Sequence, residues 1–371
     1  MPRLTRPSLG GRRRVATGPR PATVRSGWRT GVQLVAVLAA VAAVAAGCGS
    51  ASSASPAYQA WVTNGAYQSY PLHTVVQVDL ATGTRGLRVD TGSEPAGIAA
   101  ADHGSRLVVV NRGSDTLRLV DTASGALLGS VRVGLEPDAV AVVPAPGRGP
   151  ETALVANFAG DSVTPVDLAT MRAGPAIPVG REPTAIAVTP GAVVVPGGTG
   201  GRGEAMVTNF AGDSVTPVDL ATMRAGPAIP VGSEPEAVAI APHGAGGEPG
   251  PTAVVADYGD DTLTPVGIAP GTAGAPLTVP VAPTGLAVAP DGTIWVSGGS
   301  TLYPVTSRFG IGTPIHFRAP TEAVALSADS TTAWVAEQDG AVTSASLPAG
   351  PVGRTIQVHG EPSSIVVLGS P

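Results

Sequence analysis

Residues 155–183 return at 207–235 with changes at only two of 29 positions, Ala156 against Thr208 and Arg181 against Ser233. A chain that repeats itself at an offset of 52 residues is built from copies of one structural unit, each packing on its neighbours. The ending of that unit, a small-residue turn into proline and then a short apolar run, recurs in weaker form along the chain. The prolines at that position are Pro95, Pro137, Pro183, Pro235, Pro283, Pro320 and Pro362, spaced by 42, 46, 52, 48, 37 and 42 residues. Seven landmarks at this spacing set the frame for the rest of the sequence.

Each copy divides into four short β-type runs separated by turn residues. In the copy that starts at Pro183, the first run is Ala185 to Val188 and the second ends at Asn209. A loop from Phe210 to Asp213 leads into Ser214 to Asp219, and a fourth run lies around Ala228 to Val231. With 50 Gly, 37 Pro and only 13% charged residues, the chain is too turn-rich to be helical and too apolar to be disordered. The predicted fold is all-β, a seven-bladed β-propeller of four-stranded antiparallel blades.

Two patterns refine the expectation. The first run alternates a small residue with a larger aliphatic one, as in Ala139-Val140-Ala141 and Ala185-Ile186-Ala187. We expect its small side to face a narrow axial channel and its large side to pack between blades. The second run has a bulky slot (Trp61, Val109, Leu154, Met206, Val254, Trp295, Trp334), read as core between blades. The chain opens on a second-strand pattern at Trp61 and closes on a first-strand pattern at Ser364 to Val367. The C-terminal strand is therefore expected to complete the first blade and close the ring, which removes exposed sheet edges.

Residues 1–47 differ from the rest. They hold eight Arg and no acid, then an apolar stretch from Val32 to Ala46, a pattern that describes an export signal. Ala45-Ala46-Gly47-Cys48 resembles the lipobox of bacterial lipoproteins, with Ala45 where that motif usually has a larger aliphatic residue. The resemblance implies lipidation at Cys48; an ordinary secretory signal beside an incidental cysteine is the alternative. Residues 48–56 are then a lipidated cysteine and flexible tether, and 57–371 the propeller. This organisation places the protein on the outer face of the cell membrane, held by its lipid alone, and we expect a monomer. Without residues 1–47 the formal net charge moves from −5 to −13. Such an acidic chain is not expected to bind nucleic acid.

Trp61-Val62-Thr63-Asn64 and Met206-Val207-Thr208-Asn209, together with the Val-Gly-x-Glu-Pro turns, resemble the YVTN-type β-propeller repeat family over about residues 57–371. Related propellers include lactonases and lyases that hold a divalent cation at the channel mouth through a few non-repeated carboxylates and a His. The resemblance therefore implies a second possibility, a divalent-cation-dependent hydrolase or lyase. Against it, the acids here are repeated and the five His are scattered. No His-x-His or His-Glu-x-x-His spacing, nucleophile elbow or phosphate loop occurs, so no cofactor and no catalytic residue is expected.

Blade topology puts the fourth-to-first-strand turn and the second-to-third-strand hairpin on one face. The turns carry Glu94, Glu136, Glu182, Glu234 and Glu361; the hairpins carry Asp115, Asp161, Asp213, Asp260 and Asp261. Ala282 and Ala319 leave a gap in the ring. Two readings stand side by side. Asp and Asn suit tight turns because they cap local backbone groups. Alternatively, the acids form a face whose negative potential attracts a cationic small ligand or a basic protein patch.

Overall fold

The structure, a computed structural model, describes residues 58–65, 73–145, 150–192, 203–269 and 271–369. The signal, Cys48, the tether and the glycine-rich run 197–201 lie outside the described residues.

The described strands form seven antiparallel sheets. Blade two shows the plan, running outward through Pro95–Ala101, Arg106–Asn111, Thr116–Asp121 and Leu127–Arg132. The innermost strands of blades three to seven are Pro137–Val143, Pro183–Val188, Pro235–Ala241, Pro283–Val288 and Thr321–Leu326. Each innermost strand neighbours the next around a closed circle. Blade one is composite, as the chain ends predicted. Its innermost strand is the C-terminal Glu361–Leu368, paired with Gln59–Gly65 so that Trp61 lies opposite Val366 and Val62 opposite Ile365. A Thr63–Ser363 hydroxyl contact of 2.9 Å ties the two termini of the ring.

The apolar core lies between blades. Ile186 packs back on blade three beside Ala139 and Ala141, while Ala185 and Ala187 of the same strand pack forward on blade five beside Val238. Both sides of the innermost strand are thus buried, which corrects the expectation that the small side faces the channel. The small residues are needed because the neighbouring blade presents its large one there. The bulky slot of the second strand is core, as expected: Trp61, Leu154, Met206 and Val254 are all fully buried against the following blade.

Blades three, four and five depart from the four-strand plan at their outer edge. The fourth strand splits into two short pieces, such as Arg172–Ala173 and Ile177–Pro178. The intervening Gly174-Pro175 explains the break, because proline has no N–H to offer the ladder. The Gly174 amide still reaches the Pro165 carbonyl at 2.7 Å.

Candidate functional site

The hairpins and inter-blade turns do share a face. The Phe158 amide, in the hairpin of blade three, donates to the carbonyl of Glu136, in the turn entering that blade, at 2.9 Å. Phe210 and Glu182 (2.9 Å), Tyr258 and Glu234 (3.1 Å), and Arg112 and Glu94 (2.8 Å) repeat the contact.

Three hairpin aspartates hold the turns. Asp115, Asp161 and Asp213 accept the backbone amides of Glu136, Glu182 and Glu234 at 2.8, 2.9 and 3.0 Å. Each of these Asp is left-handed, a conformation that short polar side chains tolerate. Asp261 shares that backbone state and its carbonyl accepts the Val279 amide, while Asp260 accepts the Ser233 amide at 2.7 Å. The Asp115, Asp161, Asp213 and Asp260 carboxylates thus hold backbone amides of inter-blade turns 21 to 27 residues away, whereas Asp261 contributes its backbone carbonyl.

The asparagine after the second strand is equally structural. Asn157 Oδ1 accepts the Gly134 amide at 3.0 Å while its Nδ2 donates to Thr164 at 2.9 Å, and Asn209 repeats this with Gly180 and Thr216. In blade five the slot holds Asp257, fully buried, with the Thr262 and Thr264 hydroxyls on Oδ2. Burial pushes its carboxyl up to about 6 despite those hydrogen bonds.

The glutamates are not all alike. Glu94, Glu136, Glu182 and Glu234 sit in the left-handed region immediately before proline, at φ 51°, 48°, 52° and 52°. The residue before a proline is sterically restricted, so the flanking amide and carbonyl hydrogen bonds hold these turns in place. Their side chains extend onto the face: Glu94 and Glu136 are exposed, and Glu182 and Glu234 are partly so. Glu361 is instead the first residue of the C-terminal strand, opposite Gly65. Burial raises its carboxyl above the usual range.

The richest cluster was not foreseen. Arg112 lays its guanidinium 4.5 Å from the centre of the Phe158 ring, 3.3 Å from Glu136 and 3.3 Å from Asp138. Asp138 occupies the bulge just after the turn proline, on the innermost strand. The same position holds Thr184, Glu236, Thr284 and Glu322 in blades four to seven. Thr184 and Thr284 donate to the next blade's Pro235 and Thr321 carbonyls at 3.1 and 3.0 Å. Asp138, Glu236 and Glu322 put buried carboxylates at that level of alternate blades. Burial pushes Glu322 up to about 7; the hydrogen bond from Gln338 opposes the shift and the charge of Glu361 adds to it. Among the described residues, no group of three His, Cys, Asp or Glu side chains could hold a metal ion.

No family model matches the sequence, and no curated protein does. Solved structures match well. A functionally unknown protein from Desulfotomaculum acetoxidans aligns at TM-score 0.67 and 14% identity, over 83% of this chain and 98% of that one. A putative 6-phosphogluconolactonase from Bacteroides uniformis gives 0.63 and 16%, over 84% and 99%. Hydrazine synthase from Kuenenia stuttgartiensis gives 0.59 and 17%, over 72% and 88%. The chain is a seven-bladed β-propeller. At these identities the likeness is one of fold, and fold alone assigns no chemistry.

Two signals in the sequence pointed to the missed residues. One is the side chain directly after the motif Asn, which runs Arg112, Phe158, Phe210, Tyr258 (the last after Asp257) through blades two to five. The other is the bulge residue, first after Pro137, Pro183, Pro235 and Pro283 and second after Pro320, which varies where its neighbours repeat.

Proposed function

We propose that this propeller is a YVTN-type, lipid-anchored binding scaffold outside the cytoplasm. Its ligand, a cationic small molecule or the basic patch of a protein, docks on the face that carries the glutamate turns. The observation that carries the reading is that Glu94, Glu136, Glu182 and Glu234 share one face, exposed or partly so, with Phe158, Phe210 and Tyr258 in the adjoining hairpins. A negative, partly aromatic surface suits cations, and Arg112 on Phe158 is an internal instance of the contact. In this reading Cys48 bears the lipid, the folded part acts as a monomer, and nucleic acid is not a partner.

The test is crosslinking capture from the protein's own membranes, comparing the wild type with the variant E94Q/E136Q/E182Q/E234Q. Loss of a captured partner with an unchanged melting temperature supports the binding face; equal capture rules it out. The rival, a divalent-cation-dependent hydrolase or lyase, would show as tight single-site thermal stabilisation by Ca²⁺ or Mg²⁺.

A further inference from the structure

Blade one keeps the asparagine of the repeat but loses both of the partners that hold it elsewhere. In blades three and four, Asn157 and Asn209 accept the Gly134 and Gly180 amides on Oδ1 and donate through Nδ2 to the Thr164 and Thr216 hydroxyls. Asn64 occupies the same place in blade one, opposite Thr74. In register, Val76 stands where Thr164 and Thr216 do, so no hydroxyl is offered there. In the turn entering the blade, His359 stands where Gly134 and Gly180 do. A side chain cannot take the glycine's place unchanged, because a Cβ on Gly134 or Gly180 would lie 2.4 Å from the asparagine Cγ. The His359 amide donates instead to the Gly340 carbonyl at 3.2 Å, with the residue left-handed at φ 61°.

Asn64 is thereby left 1% exposed, its Nδ2 3.5 Å from the Val358 carbonyl and its Oδ1 with no hydrogen-bond partner. An unsatisfied buried acceptor costs about 1–3 kcal/mol. Both replacements, Val76 and His359, line a cavity of about 230 Å³ together with Asn64 and Val358. The outermost strand of blade one, Thr84–Asp90, adds Arg85 and Arg88 to its wall. These two lie opposite Val78 and Val76 in register, on the side that packs against blade seven. No carboxylate lines the cavity, although the chain as a whole is acidic. Neither guanidinium forms an ion pair with an acid among the described residues.

We propose that this cavity at the junction of blades seven and one binds a hydrogen phosphate group, either as the free ion or as a small monoester. Arg85 and Arg88 pair with the phosphate oxygens, a task that the planar guanidinium fork suits. The remaining P–OH donates to Asn64 Oδ1, the atom that the Val358 carbonyl, by taking Nδ2, leaves for an occupant. The volume lies below the roughly 300–1,000 Å³ of sites for drug-sized ligands, which fits a small anion. The proposal does not depend on the reading of the glutamate face.

The test is titration of the full mature chain with inorganic phosphate at pH 6 and low salt, followed by calorimetry or NMR shifts, with sulfate at matched ionic strength as the comparison. Saturable binding at one site is expected, weakened at least tenfold in R85Q/R88Q, whose substitutions are on exposed side chains and are expected to leave the melting temperature unchanged. Sulfate, which has no proton to give Asn64 at that pH, is expected to bind more weakly. H359G restores the glycine of blades three and four, lets its amide reach Asn64, and is expected to weaken phosphate binding without loss of stability. No saturable binding, equal binding by R85Q/R88Q or by H359G, or sulfate bound as tightly as phosphate each overturns the proposal. Glycerol 3-phosphate separates the two sources: competition with inorganic phosphate supports a monoester site, and binding of phosphate without competition supports a site for the free ion.

Discussion

The Asp213 carboxylate accepts the backbone amide of Glu234 at 3.0 Å, so a hairpin in blade four fixes the turn that enters blade five. Asp161 does the same for Glu182 from blade three to blade four, at 2.9 Å. The near-identity of residues 155–183 and 207–235 therefore extends to the contacts that join one blade to the next.

Removing such a latch is expected to cost stability without unfolding the protein. D213A leaves the Glu234 amide without its acceptor, a loss of about 1 kcal/mol. D213N keeps an acceptor oxygen and tolerates the left-handed backbone, so it is expected to lose less than half as much. Urea denaturation of the two variants, with D161A as the matched copy, checks the ordering.

Asp257 is expected to make stability fall as pH rises. Its unfolded value of 3.8 is raised to about 6 in the fold, so between those values the folded chain retains a proton that the unfolded chain releases. The contribution is fully present below pH 4 and is lost by pH 7, a difference of about 3 kcal/mol. D257N installs the amide that serves in blades three and four. It is expected to match the wild type at pH 4 and exceed it at pH 7, read from melting temperatures between pH 3.5 and 8. Glu322, raised to about 7, titrates in both proteins and cancels in the comparison.

Arg112 is expected to matter for folding more than its place on the surface suggests. The side chain of Asp138 is 1% exposed, and R112A takes a guanidinium away from that buried charge. A loss of about 3 kcal/mol is expected, and R112A/D138N is expected to recover most of it. A double-mutant cycle by chemical denaturation measures the coupling.

Ring closure gives a fourth expectation. Ending the chain at Gly360 deletes the innermost strand of blade one and exposes Trp61, which is otherwise fully buried opposite Val366. The truncated protein is expected to lose its cooperative melting transition. A synthetic peptide of residues 361–371, supplied in trans, is expected to restore it.

The fold was legible because propeller blades are local. Strand, hairpin and turn lie within one repeat, and proline, Asn and Asp mark the same corners each time. The composite first blade was legible too, since Trp61 opens on a second-strand pattern and Ser364 on a first-strand one. What escaped was the direction of side chains across blades. Ala185 and Ala187 look like channel residues in sequence, yet they face Val238 of the next blade. At the site, the repeated acids drew attention because they repeat, and four of them, Asp115, Asp161, Asp213 and Asp260, proved to be engaged by backbone amides. Arg112 and Asp138 are 26 residues apart, and their pairing depends on two blades meeting at one junction.

The claim that the glutamate face is the docking surface is tested most directly by a photoreactive side chain placed at Tyr258 and, separately, at Leu128. Leu128 lies in the outermost strand of blade two and is 47% exposed, close to Tyr258 at 43%. Irradiation in the protein's own membranes is expected to give a specific crosslinked partner from position 258, weakened by E94Q/E136Q/E182Q/E234Q, and none from position 128. A partner captured from 128 and not from 258 would contradict the account.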